Sequence, residues 1–237
     1  GMMGPAAGVA LLLGGLLCFL IALSFAEVSA RFDKTGGAYL YSREAFGDFI
    51  GFEVGWMTCC VAIISWAALA NGFTLVLSHF IPAVGDGLVQ SITAVGIITL
   101  LTLVNWFGAD RGAAVVKFFT VAKLIPLAVF ILVGMFFLDG GNLQPFAPHG
   151  TAPLAETTML LLYAYAGFET LVVPAGEMDN PQKNVPKALF IVMALVTTVY
   201  MGIFGVAVGT FDGIAGHKNP VAAASEVFMG PIGGSLI

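Results

Sequence analysis

The stretch MLLLYAYAGFETLVVPAGEMDNPQKNVPK, Met159 to Lys187, decides how the rest of this sequence is read. It opens as an apolar helix and meets Gly167, with a carboxylate two residues on at Glu169. It runs apolar again to Pro174 and ends in a polar turn bounded by prolines. A carboxylate inside a membrane-length segment is costly in lipid, so it calls for a buried hydrogen bond or a function. Two readings of Tyr163–Glu169 follow from the residue types. In one, Gly167 is a helix-packing residue and Glu169 caps or hydrogen-bonds a neighbouring helix. In the other, Gly167 lets the backbone leave helical geometry. The carbonyls just before the break then lose their donors and can receive an ammonium group. The rings of Tyr163, Tyr165 and Phe168 either close over that group or pack in the core.

The composition supports a lipid setting for this stretch. The chain is 59% hydrophobic and 10% charged over 237 residues, with a mean hydropathy of +0.97. A soluble domain carries about 25% charged residues. Long apolar runs without period-two alternation point to helices and away from a barrel. The net charge of −5 is spread over loops, and no basic patch marks a nucleic-acid surface. Cys18, Cys59 and Cys60 lie in apolar runs and read as small core residues. His79, His149 and His217 fall in outer loops without metal spacing, and no paired carboxylates or nucleophile constellation marks an enzyme.

Working outward, the pattern predicts spans over about 8–28, 47–78, 88–107, 113–138, 154–176 and 187–211, with a partial one over 220–237. Between them lie loops, including SARFDKTGGAYLYSREAFG after the first span; Pro186 suits the first turn of the helix after DNPQKNVP. Arg31, Lys34, Arg43, Arg111, Lys117, Lys183 and Lys187 fall on one side and only Lys218 on the other. The positive-inside rule makes the first side cytoplasmic. Residue 1 is then outside, so at least one span is expected before it. Lys123 lies about ten residues into its span, which at ~1.5 Å rise is ~15 Å deep. An ammonium there either snorkels toward Lys117 or is a buried cation able to exchange a proton or to stand where a sodium ion would. The same orientation puts Gly167 at a similar depth, and two ionisable groups at one level favour a substrate-site helix.

At this point the residues resemble a known family. FAEVSARFDKTGGAYLYSREAFGDFIGFEVGW (Phe25–Trp56) is similar to the helix 2 to helix 3 signature of the amino acid–polyamine–organocation permeases. YAYAGFETLVVPAGEMDNPQKNVPKAL (Tyr163–Leu189) resembles their helix 6 and following loop, and FTVAKLIPL (Phe119–Leu127) the helix 5 lysine segment of some members. The resemblance implies an all-α polytopic membrane protein, part of a five-plus-five inverted-repeat fold with a discontinuous helix 6. On that map the chain holds family helices 2 to 7 and the start of 8. The Gly-rich break of helix 1 is not found, so a fragment that does not transport by itself is expected, with the remaining helices of the parent chain as partners.

Carried over position by position, Tyr163, Ala164, Tyr165, Ala166 and Gly167 look like the segment whose carbonyls hold the substrate α-amino group, with Phe168 beside them. Tyr163 is similar to the gating aromatic. Glu169 is similar to the carboxylate after the break, which ties the gate or senses protons. Lys123 is similar to the lysine that replaces a sodium site. The resulting expectation is a cytoplasmic-membrane permease for an amino acid or related amine, working by alternating access as a proton symporter. It needs no cofactor beyond the coupling proton. An exchanger of the same fold and a non-transporting sensor or partner subunit are the alternatives.

Overall fold

Long runs of Leu, Ile, Val, Ala and Phe can satisfy their backbone without water only by bonding within the segment, and the chain does so as helices. The computed structural model describes residues 3–85, 87–148, 150–211, 214, 217 and 219–236; His149 and Lys218, placed above in outer loops, lie outside them. The helices are α1 (Ala7–Ser29), α2 (Ala38–Phe46), α3 (Asp48–Phe80), α4 (Gly87–Trp106), α5 (Ala109–Gly134), α6 (Leu154–Tyr165), α7 (Pro181–Thr210), α8 (Pro220–Met229) and α9 (Pro231–Leu236). No strand occurs among the described residues. Among the described residues, five segments are long and apolar enough to cross a membrane: Gly4–Ser29, Asp48–Ser78, Gly87–Trp106, Gly112–Phe137 and Pro181–Thr210.

The chain divides into two compact units, residues 1–41 with 123–237, and residues 42–122. In the first, α1 packs against α6 and α7. Its inward face is small: Gly8, Ala10, Gly14, Gly15, Cys18 and Ala22 are buried. Its outward face is large, with Leu12, Leu16, Leu20 and Ile21 exposed. This is the membrane pattern, in which apolar bulk faces lipid and small residues let backbones approach. At Gly15 the approach is essential, because a Cβ there would lie 2.9 Å from the Tyr165 hydroxyl. A second core joins Phe130 of α5, Val206 and Ala207 of α7, and Ala224 of α8.

In the other unit, α3 and α4 pack together across a 3-10 turn, Pro82–Gly85. Ala70, Thr74, Val84 and Ala94 are buried there. The Thr74 hydroxyl donates to the Asn71 carbonyl at 2.7 Å, which satisfies it within its own helix. Arg43 Nε meets Asp48 Oδ1 at 2.6 Å across Gly47. That pair is exposed and adds little stability.

Four boundaries differ from the sequence expectation. The loop after the first span contains α2, whose short amphipathic run was too polar to register as a span. The segment expected over 154–176 is helical only to Tyr165, and α6 at 12 residues is about 18 Å long, too short to cross alone. Helix α7 begins at Pro181, so Pro181 rather than Pro186 fills the first turn, where a missing N–H costs nothing. Pro186 lies inside α7 and forfeits one bond near its end. The partial span over 220–237 is two helices, α8 and α9, separated at Gly230 with φ 66°.

Candidate functional site

The backbone leaves helical geometry at the expected place. Helix α6 ends at Tyr165, Ala166 is extended with ψ 145°, and Gly167 sits in the left-handed region with φ 114°. A 3-10 helix, Phe168–Val172, follows, and a second short one spans Ala175–Glu177. Only glycine adopts that φ without strain. Side chains close the ends of the break. The Gly167 N–H donates to Glu169 Oε2 at 2.9 Å. The Gly167 carbonyl accepts from the Thr170 hydroxyl at 2.6 Å and from the Thr170 N–H at 3.1 Å. Gly167 is thus capped in both directions by the two residues that follow Phe168.

The carbonyls before the break divide into two sets. Tyr163 accepts from the Ala166 N–H at 3.2 Å, and Ala164 accepts from the Tyr200 hydroxyl of α7 at 2.8 Å. Ala166 (φ −58°, ψ 145°) and Gly167 (φ 114°, ψ −16°) have the dihedrals of a type II turn, which directs the Phe168 N–H at the Tyr165 carbonyl, and among the described residues no donor meets the carbonyl of Ala166. The Ala166 carbonyl stands just past the C-terminal end of α6, where the helix dipole is negative, so a cation is the favoured guest.

The side chains divide in the same way. Tyr165 is buried between α1 and α7, and its hydroxyl donates to the Leu11 carbonyl at 3.1 Å. Its ring meets that of Tyr200 edge-on, with centroids 5.3 Å apart. Phe168 packs edge-on against Phe25 at 6.1 Å. These two rings, left open by sequence between core and substrate, pack against neighbouring helices in this structure. Tyr163 is the exposed aromatic at 81%, and Ala164, Ala166 and Gly167 are exposed beside it. An apolar cavity of about 320 Å³ adjoins the end of α6, walled by Ala164 and Tyr200 with Leu11, Ile203 and Phe204.

Beyond the break, the chain is tied to the loop after α1. The Gly36 N–H donates to the Val173 carbonyl at 3.0 Å, and Val172, Ala175, Val185 and Leu189 form a buried core. Gly176 lies against Thr35, where a Cβ would come within 2.8 Å of the Thr35 nitrogen. Tyr41 packs on this core, and burial pushes its phenol pKa up.

Lys123 lies just past the middle of the 26-residue α5 and is exposed. Among the described residues it has no hydrogen-bond or ion-pair partner, and it forms no ion pair with Glu169. Pro126, three residues on, cannot donate to the Ala122 carbonyl, so the helix ladder is interrupted next to Lys123. The sequence reading missed Tyr200 and Thr170. Thr170 was legible as a hydroxyl three residues after a glycine. Tyr200 was not, because its partner lies 36 residues away.

Comparison with known proteins agrees with this geometry. The family described as amino acid permease matches residues 1–236. The serine/threonine exchanger SteT of Bacillus subtilis is 32% identical over 95% of this chain and 52% of its own length. The methylthioribose transporter of Bacillus subtilis is 29% identical over 84% of this chain and 46% of its own. The cationic amino acid transporter 9, chloroplastic, of Arabidopsis thaliana is 30% identical over 84% and 38%. The chain therefore spans about half the length of the curated relatives it matches. These names denote permeases and transporters rather than enzymes, and with the spanning helices they make this a multi-pass membrane protein. With the family matched over nearly its whole length and a helix broken at Gly167, the chain belongs to the amino acid permease family.

Proposed function

We propose that this chain is the part of a secondary active transporter that supplies the amine half of its substrate site. The substrate is an amino acid or a related amine, moved by alternating access across the cytoplasmic membrane. The observation that carries this reading is the break at Ala166–Gly167, which ends α6 short of a full span and leaves the Ala166 carbonyl without a donor among the described residues at its negative end. An orphan acceptor in a membrane interior is costly to leave unpaired, and a cationic guest would complete it. The remaining helices of the parent chain supply the carboxylate half.

Transport is coupled to protons through Lys123, with Glu169 as the second candidate. Lys123 supports this role by standing mid-helix with no hydrogen-bond or ion-pair partner among the described residues. The test is uptake of radiolabelled L-amino acids by the full-length parent in liposomes. Uptake driven by an inward proton gradient is expected, and Lys123→Ala should flatten its pH profile while the protein stays folded. An unchanged profile removes Lys123 from coupling. Failure to bind any amino acid or amine removes the transport reading itself.

A second reading has an observation in its favour, since a relative at 32% identity is named an exchanger. In that reading the substrate moves against another substrate on the same site. Uptake that requires internal substrate and ignores a pH gradient identifies it.

A further inference from the structure

We infer that the break at Gly167 is a fixed elbow, held from outside by loop residues 35–37 acting as a splint, and is not a hinge of the transport cycle. A hinge needs one half free to turn about the other. Here each half is fastened to the same two continuous helices. Before the break, the Tyr165 hydroxyl donates to the Leu11 carbonyl of α1 at 3.1 Å, and the Tyr200 hydroxyl of α7 donates to the Ala164 carbonyl at 2.8 Å. After it, Phe168 packs edge-on against Phe25 of α1, with ring centroids 6.1 Å apart. Val172 and Ala175 are buried together with Val185 and Leu189 of α7. A rotation at Gly167 would have to break one of these two sets.

The loop after α1 adds a third fastening, which accounts for its glycines. The Gly36 N–H donates to the Val173 carbonyl at 3.0 Å, so the two backbones are bonded directly. Gly37 stands at φ 53°, and a Cβ there would come within 3.0 Å of Val172 Cγ2 and 3.4 Å of the Val173 Cα. From the other side, a Cβ on Gly176 would lie 2.8 Å from the Thr35 nitrogen. A side chain at either glycine would push the two backbones apart. Phe32 before the loop and Tyr41 after it lie against each other, with ring centroids 4.9 Å apart, which closes the loop on itself. Tyr41 also packs on the core that holds Val172 and Ala175. The segment after the break consists of two short 3-10 helices, Phe168–Val172 and Ala175–Glu177. Pieces this short hold no direction by themselves, and the splint supplies it.

The test uses the full-length parent in liposomes, spin-labelled at Leu160 and Glu177, two exposed positions on opposite sides of the break. The proteinogenic L-amino acids are the probes, and the one transported best is added at saturation. The mean distance between the labels is expected to stay within about 2 Å on addition, the scale on which packed helices slide. A larger change overturns the elbow. Gly176→Ala should speed exchange of the Gly36 amide by about five- to tenfold, the scale of one lost hydrogen bond, and broaden the label distances. Gly205→Ala, whose added methyl meets nothing within 4 Å, should do neither. Equal effects from the two variants, or no effect from a folded Gly176→Ala, overturn the splint. If Gly176→Ala does not fold, Tyr165→Phe removes only the hydroxyl that fastens the first half to α1. The label distances must then broaden, and an unchanged distribution overturns the inference. Failure of the wild-type parent to bind any amino acid overturns the transport reading instead, and the variants still decide the splint.

Discussion

Helices α6 and α7 are neighbours of similar apolarity, and only one is broken. Helix α7 carries Gly202, Gly205 and Gly209 and runs unbroken for 30 residues. Helix α6 stops at 12, two residues before a single glycine. Glycine by itself therefore does not break a helix in this protein. Two of the α7 glycines serve close contact: a Cβ on Gly202 would come within 2.9 Å of Ile131, and one on Gly209 would meet Leu138. Gly167 has open space around it and a left-handed φ instead. What distinguishes it is the sequence that follows. Glu169 accepts its N–H and Thr170 donates to its carbonyl, so the break has local substitutes for the lost helical bonds. A glycine with cap residues two and three positions on becomes a break; a glycine among Val, Phe and Met remains a packing notch.

The sharpest way to break that comparison is Gly167→Val. A β-branched residue at φ 114° carries strain of about 1–3 kcal/mol. If the carbonyls shift by even an ångström as the strain relaxes, uptake by the full-length parent falls by about 10²-fold. Unchanged uptake would mean that the break does not depend on glycine.

Glu169→Ala comes next. It removes the acceptor for the Gly167 N–H, a loss of about 1 kcal/mol in stability, with uptake lower by about tenfold. Glu169→Gln retains an acceptor oxygen and should recover most of the thermal stability. Where Gln recovers stability but not uptake, Glu169 acts through its charge as well as through its cap. Where Gln and Ala lose stability equally, the cap is not what holds the break.

The smallest effects belong to α7. An added methyl at Gly205 meets nothing within 4 Å, so Gly205→Ala should gain about 0.5–1 kcal/mol from helix propensity. The melting temperature in detergent should rise by a few degrees, with uptake unchanged. Gly202→Ala should lose a similar amount because Ile131 stands in the way. If both behave alike, the packing role given to the α7 glycines is wrong.

Much of this was legible from residue types. The spans followed from apolar run length, and Gly167 with a carboxylate beside it in a membrane-length segment offered the break as one of two readings. The misplaced features share one cause, which is that span detection responds to hydropathy and not to hydrogen bonding. It counted 154–176 as one span because Leu171, Val172 and Val173 are as apolar after the break as Leu160–Leu162 are before it. It passed over α2, where Arg43 and Glu44 interrupt the apolar pattern. It placed the start of α7 at Lys187 because residues 181–186 are polar, although Pro181 is the better first-turn residue.

The sequence by itself determined that this chain is helical and membrane-spanning, because lipid forces every backbone group to find a partner within its own segment, and it offered a break at Gly167 as one of two readings. The tertiary structure alone decided what the interruption offers. Tyr165, as apolar and aromatic as Tyr163 in the sequence, turns into the core because Gly14 and Gly15 of α1 leave room for it. Tyr163 stays outside. Tyr200 takes the Ala164 carbonyl from across the helix interface, and the Ala166 carbonyl is left without a donor among the described residues. Those assignments depend on contacts 36 and 154 residues apart. No local pattern encodes such contacts, since they exist only once α1, α6 and α7 have packed.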